Sequence, residues 1–464
     1  MTTLAPRPAP QAGLPPTLGN QRPGRDRAVD LVRAGLMLWV VTFHALMVGA
    51  WAPGGTPSVG NALEGWAGFD ALTWAGQIMP LFFLLAGFSA AASGRGKAGS
   101  KHDGAGRLGA RLLRLVPAVA AGALAVTLGL ALLASAGLDP VLLAEAGFRS
   151  AQPLWFLSVF ALCTALAPTA LRLHRAAPRA TLAALAAAAL AVDVVRAVTG
   201  NGAVGLANMV FVWLALQQAG FLLHSPVLTG LRPARLLTLA AACASVLALL
   251  VWAGVYPSNF IEAMTPPTTA LLLLGAAQLF LFQAVRPVLN AAVWPARLSR
   301  AVAAINAHAM TIYSWHLPLA VALAGLSLAW AGPLLPAPTS AAWRATRPLW
   351  LAAVGLPLWW LASRGGRIER LGARAPGAAP AAHLATASGL PATRAGNAGH
   401  PSRPTAVVRW ILAAAGTASA VAGPLLILVL GGTGPAWVLG SALLCASVAA
   451  ARRAARPAEQ VRAS

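Results

Sequence analysis

Apolar stretches of about twenty residues, divided by short charged or Pro/Gly-rich breaks, recur along this chain from residue 29 to residue 451. A hydrocarbon layer roughly 30 Å thick is crossed by about 20 helical residues at ~1.5 Å each, so every such stretch is a candidate transmembrane helix. Only 10% of the residues are charged and 58% are hydrophobic, against roughly a quarter charged in an ordinary soluble domain. The breaks define twelve spans, the shortest at 152–170, the tenth at 346–363 and the last pair at 407–430 and 434–451. The expected fold is therefore all-α: a polytopic transmembrane helix bundle of about twelve spans, a ten-span core followed by an accessory C-terminal pair.

The net charge of +23 would suit nucleic acid in a soluble protein. Here the basic residues lie between hydrophobic spans, where topology accounts for them, and no nucleic acid partner is expected. Thirty of the 34 Lys and Arg fall on the side of the N-terminus and four (Arg149, Arg196, Arg344, Arg347) on the other. The positive-inside rule places both termini in the cytoplasm. Along the chain the expected units are a disordered cytoplasmic tail (1–28), the ten-span core (29–365), a cytoplasmic linker (366–406), the accessory pair (407–451) and a cytoplasmic tail (452–464). Residues 1–25 lack the apolar core of a cleavable signal, so the first span acts as an uncleaved anchor. Arginine outnumbers lysine 32 to 2 alongside abundant alanine, a GC-rich coding bias. A multi-pass protein of a bacterial plasma membrane is expected. Cys163, Cys243 and Cys445 lie in apolar spans without ligand spacing and read as small buried residues; no metal site is expected.

Ionisable residues inside a bilayer are functional candidates by default, because hydrocarbon penalises them. Of eight histidines, only His44 and His316 lie well inside spans. The first span begins Asp30-Leu-Val-Arg33 and reaches His44 eleven residues after Arg33. Eleven residues make close to three turns, about 16 Å, so Arg33 at the cytoplasmic border and the deep His44 share one helix face. Asp30 and Arg33, three apart, can pair on that face. A neutral imidazole is a good general base near neutral pH, although a structural hydrogen bond to a neighbouring helix would also account for a buried histidine. His316, in Tyr313-Ser-Trp-His316-Leu-Pro318, enters its span from the same side to a similar depth, and the two histidines suggest a shared polar cavity.

At the entry to the third span, Arg107, Arg111 and Arg114 are spaced by four and three residues, which aligns their guanidinium groups in one stripe. Such a stripe suits polyanions, since each guanidinium can hold two phosphate oxygens, but the residues alone favour a topology signal that faces lipid headgroups. No GxSxG elbow, HExxH helix or P-loop is present.

In order, Arg33-x10-His44, Met79-Pro-Leu-Phe-Phe-Leu-Leu-Ala-Gly-Phe88, Arg111-x-x-Arg114, Leu154-Trp-Phe-Leu157, Thr265-Pro-Pro-Thr268 and Ile312-Tyr-Ser-Trp-His-Leu-Pro318 resemble the integral-membrane acyltransferase family 3. The resemblance spans roughly residues 25–365. It implies transfer of an acyl group, commonly acetyl, from cytoplasmic acyl-CoA to a hydroxyl on an outward-facing or membrane-associated acceptor such as an envelope glycan or a glycosylated small molecule. By that resemblance His44 is the catalytic histidine, Arg33 its positioning or donor-binding partner, and Arg111 and Arg114, with Arg107 beside them, hold the phosphates of coenzyme A. Asp30, His316 and Tyr313 are supporting residues. Relatives that modify peptidoglycan often carry an extracellular hydrolase-like domain, and none is visible here. That leaves a smaller acceptor or a separate extracytoplasmic partner to complete the transfer.

Two other classes compete. Twelve spans suit a secondary transporter, but the second half does not repeat the arginine and histidine patterns of the first. A polyprenyl-phosphate glycosyltransferase would use acids in the first outer loop, where Glu64 and Asp70 lie without tight pairing.

Overall fold

The structure, a computed structural model, describes residues 26–52, 55–95, 104–373 and 403–456. In chain order its elements are α1 (Arg27–Met47), the strands β1 (Val48–Trp51) and β2 (Ser58–Asn61), α2 (Phe69–Ala75), α3 (Met79–Arg95), α4 (Gly104–Ser135) and α5 (Pro140–Ala151). Next come α6 (Trp155–Ala176), α7 (Pro178–Thr199), α8 (Asn208–Phe221), α9 (Pro226–Thr229), α10 (Pro233–Trp252) and α11 (Phe260–Met264). The chain ends with α12 (Ala270–Ala291), α13 (Ala296–Ala307), α14 (Ala309–Ala331), α15 (Ala341–Ala373), α16 (Arg403–Val429) and α17 (Gly434–Ala455).

Among the described residues, eleven helices are long and apolar enough to cross a membrane, one fewer than the twelve spans expected. The difference falls on α15, which holds the tenth expected span but whose apolar run is diluted by Arg347, Pro348, Pro357 and the tryptophans at 350, 359 and 360. The short expected span 152–170 is the middle of a continuous apolar stretch from Pro140 to Ala176. The all-α expectation holds apart from one antiparallel hairpin, in which Val48 pairs with Asn61 and Trp51 with Ser58. Helix α1 starts at Arg27, inside the expected tail, and α15 runs on to Ala373, inside the expected linker. The rest of the N-terminal tail, linker residues 374–402 and the chain beyond Arg456 lie outside the described residues.

Local signals set these boundaries. The Asp26 carboxylate accepts from the Val29 amide and caps α1, and Asp139 does the same for α5 just ahead of Pro140. Gly200 ends α7 in the left-handed region at φ 64°. Between helices, packing relies on small residues, because hydrocarbon offers no hydrophobic drive for one helix to leave it for another. At the crossing of α3 and α8, a Cβ on Gly87 would overlap the Gln217 carbonyl and one on Gly220 the Leu84 carbonyl, so glycine alone permits this approach.

The largest core cluster joins Leu112, Leu113 and Val116 of α4, Leu154 and Leu157 beside α6, and Ile312 and Tyr313 of α14. Ile427, Trp437 and Leu444 of the C-terminal pair belong to the same cluster. Leu128, Leu132, Val198 and Trp252 stay exposed on outward helix faces, as lipid-facing side chains do. Cys163 is buried, but Cys243 is half-buried and Cys445 exposed; the reading of all three as buried is corrected, since two of them sit on outward faces.

Candidate active site

His44 lies one turn before the end of α1, where the helix is fixed by several groups. Trp350 of α15 donates its indole N–H to the Ala45 carbonyl at 2.8 Å, and the Ala62 amide donates to the Met47 carbonyl at 2.8 Å. The Val48 amide closes the last turn on the His44 carbonyl. The imidazole therefore projects from a braced helix end rather than a loop.

His44 and His316 do more than share a cavity. Nδ1 of His44 lies 2.8 Å from Nε2 of His316, and the two rings are within 10° of parallel with centroids 5.1 Å apart. Facing nitrogens that close, with centroids that far apart, place the rings nearly edge to edge in one line. The other nitrogen of His316, Nδ1, is 2.8 Å from the Tyr313 carbonyl one turn earlier in α14. A carbonyl only accepts, so Nδ1 of His316 carries hydrogen; with both rings neutral, its Nε2 accepts and Nδ1 of His44 donates. Nε2 of His44 is left as the lone-pair nitrogen. His316 is 1% exposed and His44 half-buried, so the pair lies within the bundle. Tyr313 is tied down through its hydroxyl, which donates to the Pro153 carbonyl at 2.6 Å. Tyr313 thus links α14 to the start of α6 and presents the carbonyl that orients His316.

Arg33 shares α1 with His44, but its guanidinium turns inward. Its Nη2 donates at 3.2 Å to the carbonyl of Leu85, a residue wholly buried in α3. The backbone carbonyl of Asp30 accepts from the Asn306 side chain at 2.8 Å, which fastens α13 to the start of α1. Arg107, Arg111 and Arg114 lie on the first turns of α4, Arg111 half-buried and the other two exposed. The side chains of Arg111 and Arg114 form no hydrogen bond or ion pair with other described residues. This stripe and the start of α1 occupy the opposite end of the bundle from the hairpin that follows His44.

Two polar networks escaped sequence reasoning. Asp26 pairs with Arg286 of α12 (Nη2 to Oδ2, 2.6 Å; Nε to Oδ2, 2.7 Å) and accepts from Asn290 at 3.2 Å, which anchors the start of α1. Asp193 of α7 accepts from Asn208 at 2.9 Å and from the amide and hydroxyl of Thr269 at 2.7 Å each. The Tyr256 hydroxyl lies 2.6 Å from that of Thr269. The second network braces the Thr265-Pro-Pro-Thr268 segment; an acid within an apolar helix was the signal for it.

A deep histidine oriented by a second one, with an arginine stripe at the far end of the bundle, fits a group-transfer enzyme that faces two compartments. The family model described as an acyltransferase domain, acyltransferase family 3, matches residues 26–364. The chain belongs to acyltransferase family 3. It is a multi-pass membrane enzyme that transfers acyl groups other than aminoacyl groups. The match takes in α1 to α14 and most of α15, with His44, His316 and all three stripe arginines inside it. No curated protein matches the chain, and no solved structure does.

Proposed function

We propose that this acyltransferase moves an acyl group, acetyl as the first candidate, from cytoplasmic acyl-CoA to a hydroxyl of an extracytoplasmic or membrane-associated carbohydrate-type acceptor. The observation that carries the reading is the line from His44 through His316 to the Tyr313 carbonyl, which leaves Nε2 of His44 as a positioned base. In the transfer, Nε2 takes the proton of the acceptor hydroxyl as its oxygen attacks the thioester carbonyl. The C–O bond forms, the C–S bond breaks, and the thiolate of coenzyme A leaves with the proton from His44. Throughout, Nδ1–H of His44 stays donated to His316, so the imidazolium formed midway is held in place and needs no new partner.

Arg111 and Arg114, with Arg107 beside them, hold the phosphates of the donor at the cytoplasmic mouth, since each guanidinium can hold two phosphate oxygens. Arg33, between mouth and base, positions the donor or the reacting groups through its anchored guanidinium. In this reading the protein spans a bacterial plasma membrane twelve times with both termini cytoplasmic, residues 29–365 form the catalytic core, and a separate extracytoplasmic partner is needed only for a large acceptor.

The test is consumption of labelled acetyl-CoA by the purified full chain in nanodiscs, with a hydroxyl-bearing sugar such as maltotriose supplied as acceptor and water as the alternative one. Wild type releases coenzyme A, and His44→Ala lowers the rate by about 10²–10⁴-fold, the usual contribution of a positioned general base. Arg111→Ala raises KM for the donor and recovers at high donor concentration. A wild type that consumes no acyl-CoA at any concentration overturns the reading.

A further inference from the structure

At the hairpin end of the bundle, opposite the arginine stripe, lies a cavity of about 500 Å³, within the usual range for small-ligand sites. Its polar lining is Asn61, Glu64, Trp66, Asp70, Asn259 and Glu262, with Phe69 and Ile261 as apolar floor. The floor belongs to a cluster that includes Phe43, Leu46 and Met47 of α1, so the cavity rests on the helical turn that carries His44. Its walls are fixed. Asp70 accepts from the Ser258 hydroxyl at 2.7 Å, Trp74 donates to the Ser258 carbonyl at 2.7 Å, and the Phe260 amide donates to Thr73 at 3.0 Å. Two loops distant in sequence are thereby joined around the opening.

The lining has a definite chemistry. Trp66 is 43% exposed, an indole face available for stacking. The Asn61 and Asn259 side-chain oxygens accept from the Leu63 and Ile261 amides, which leaves both amide nitrogens to donate to a ligand. Glu64 and Glu262 are exposed, and their carboxylates accept from no described residue. The chain has 11 acidic residues against 34 basic ones, yet three of the acids line this cavity and no basic side chain does. They are not gathered as metal ligands. An aromatic face flanked by amide donors and carboxylate acceptors is the equipment for a polyhydroxyl ring. The uniform negative sign disfavours a ring that carries its own acid.

We propose that this cavity is the acceptor-binding vestibule and that it selects a neutral or amino sugar over an acidic one. The proposal rests on the acyl-transfer reading for its meaning, but binding tests it without a donor. Labelled maltotriose, a chitosan trimer and trigalacturonate are titrated separately onto the full chain in nanodiscs. Maltotriose and the chitosan trimer bind, and trigalacturonate binds at least about tenfold more weakly, as like-charge juxtaposition dictates. Trp66→Ala weakens both productive ligands, and Glu64→Lys/Glu262→Lys reverses the order in favour of trigalacturonate. Tighter binding of trigalacturonate by wild type, binding of none of the three, or an unchanged order in the double variant overturns the proposal. Sugar binding without any acetyl-CoA consumption instead sinks the acyl-transfer reading and leaves the vestibule standing.

Discussion

His316 does not meet the acceptor in this account; it sets which nitrogen of His44 is the base. Replacing His316 with alanine frees the His44 ring to rotate and to exchange tautomers. The expected result is a fall in kcat of about 10²-fold with little change in KM for the donor, and an altered pH profile, since loss of the orienting partner of a catalytic imidazole is costly even with the imidazole present. Tyr313 separates two roles in one residue. Tyr313→Phe keeps the backbone carbonyl that holds His316 but leaves the buried Pro153 carbonyl without its donor. Stability should drop by about 1–3 kcal/mol, read as a lower Tm, while the transfer rate stays near wild type. At this scale the residue types were legible. An intramembrane histidine eleven residues after an arginine is visible in the sequence, and so is a second histidine at similar depth. Their hydrogen bond was not, because it joins positions 272 residues apart and depends on how α1 meets α14.

Helix α1 illustrates what a whole element needs in order to present one side chain. Its start is capped by Asp26, which is also the partner of Arg286, both side chains being less than a fifth exposed. Asp26→Ala removes the cap and strands the Arg286 guanidinium, so a loss of about 3 kcal/mol is expected in thermal unfolding of the detergent-solubilised protein. Arg286→Met, which removes the stranded charge, should recover part of that loss when combined with it. The end of α1 passes directly into the β1–β2 hairpin, an element no apolar pattern announced, since four-residue strands give too little alternation to register. Helix periodicity was easier to read, and most spans fall near their expected places. The exception is α15, whose tryptophans and prolines keep it helical but lower its apolar character.

Over the whole molecule, the C-terminal pair α16–α17 is more closely built in than its place outside the family match suggests. Thr127 of α4 lies 2.9 Å from the Ser441 hydroxyl, Trp437 donates to the Gly147 carbonyl at 3.2 Å, and Ser158 donates to the Val421 carbonyl at 2.8 Å. Removing residues 403–464 uncovers the face of α4 behind Tyr313 and should convert a monodisperse chromatographic peak into aggregate; an unchanged peak would show the pair to be dispensable. The sequence concealed this because both helices carry few polar side chains, so no clear stripe shows which face meets protein and which meets lipid. Glycine and serine contacts decide it, and they are legible only once the neighbour is known.

The most direct measurement of the central claim is a double-mutant cycle on transfer of labelled acetyl from acetyl-CoA, comparing wild type, His44→Ala, His316→Ala and the double variant. If His316 acts only through His44, the double variant is no slower than His44→Ala alone, because groups that act as one unit do not add. Losses that multiply, or a His44→Ala enzyme with the wild-type rate, would contradict the account.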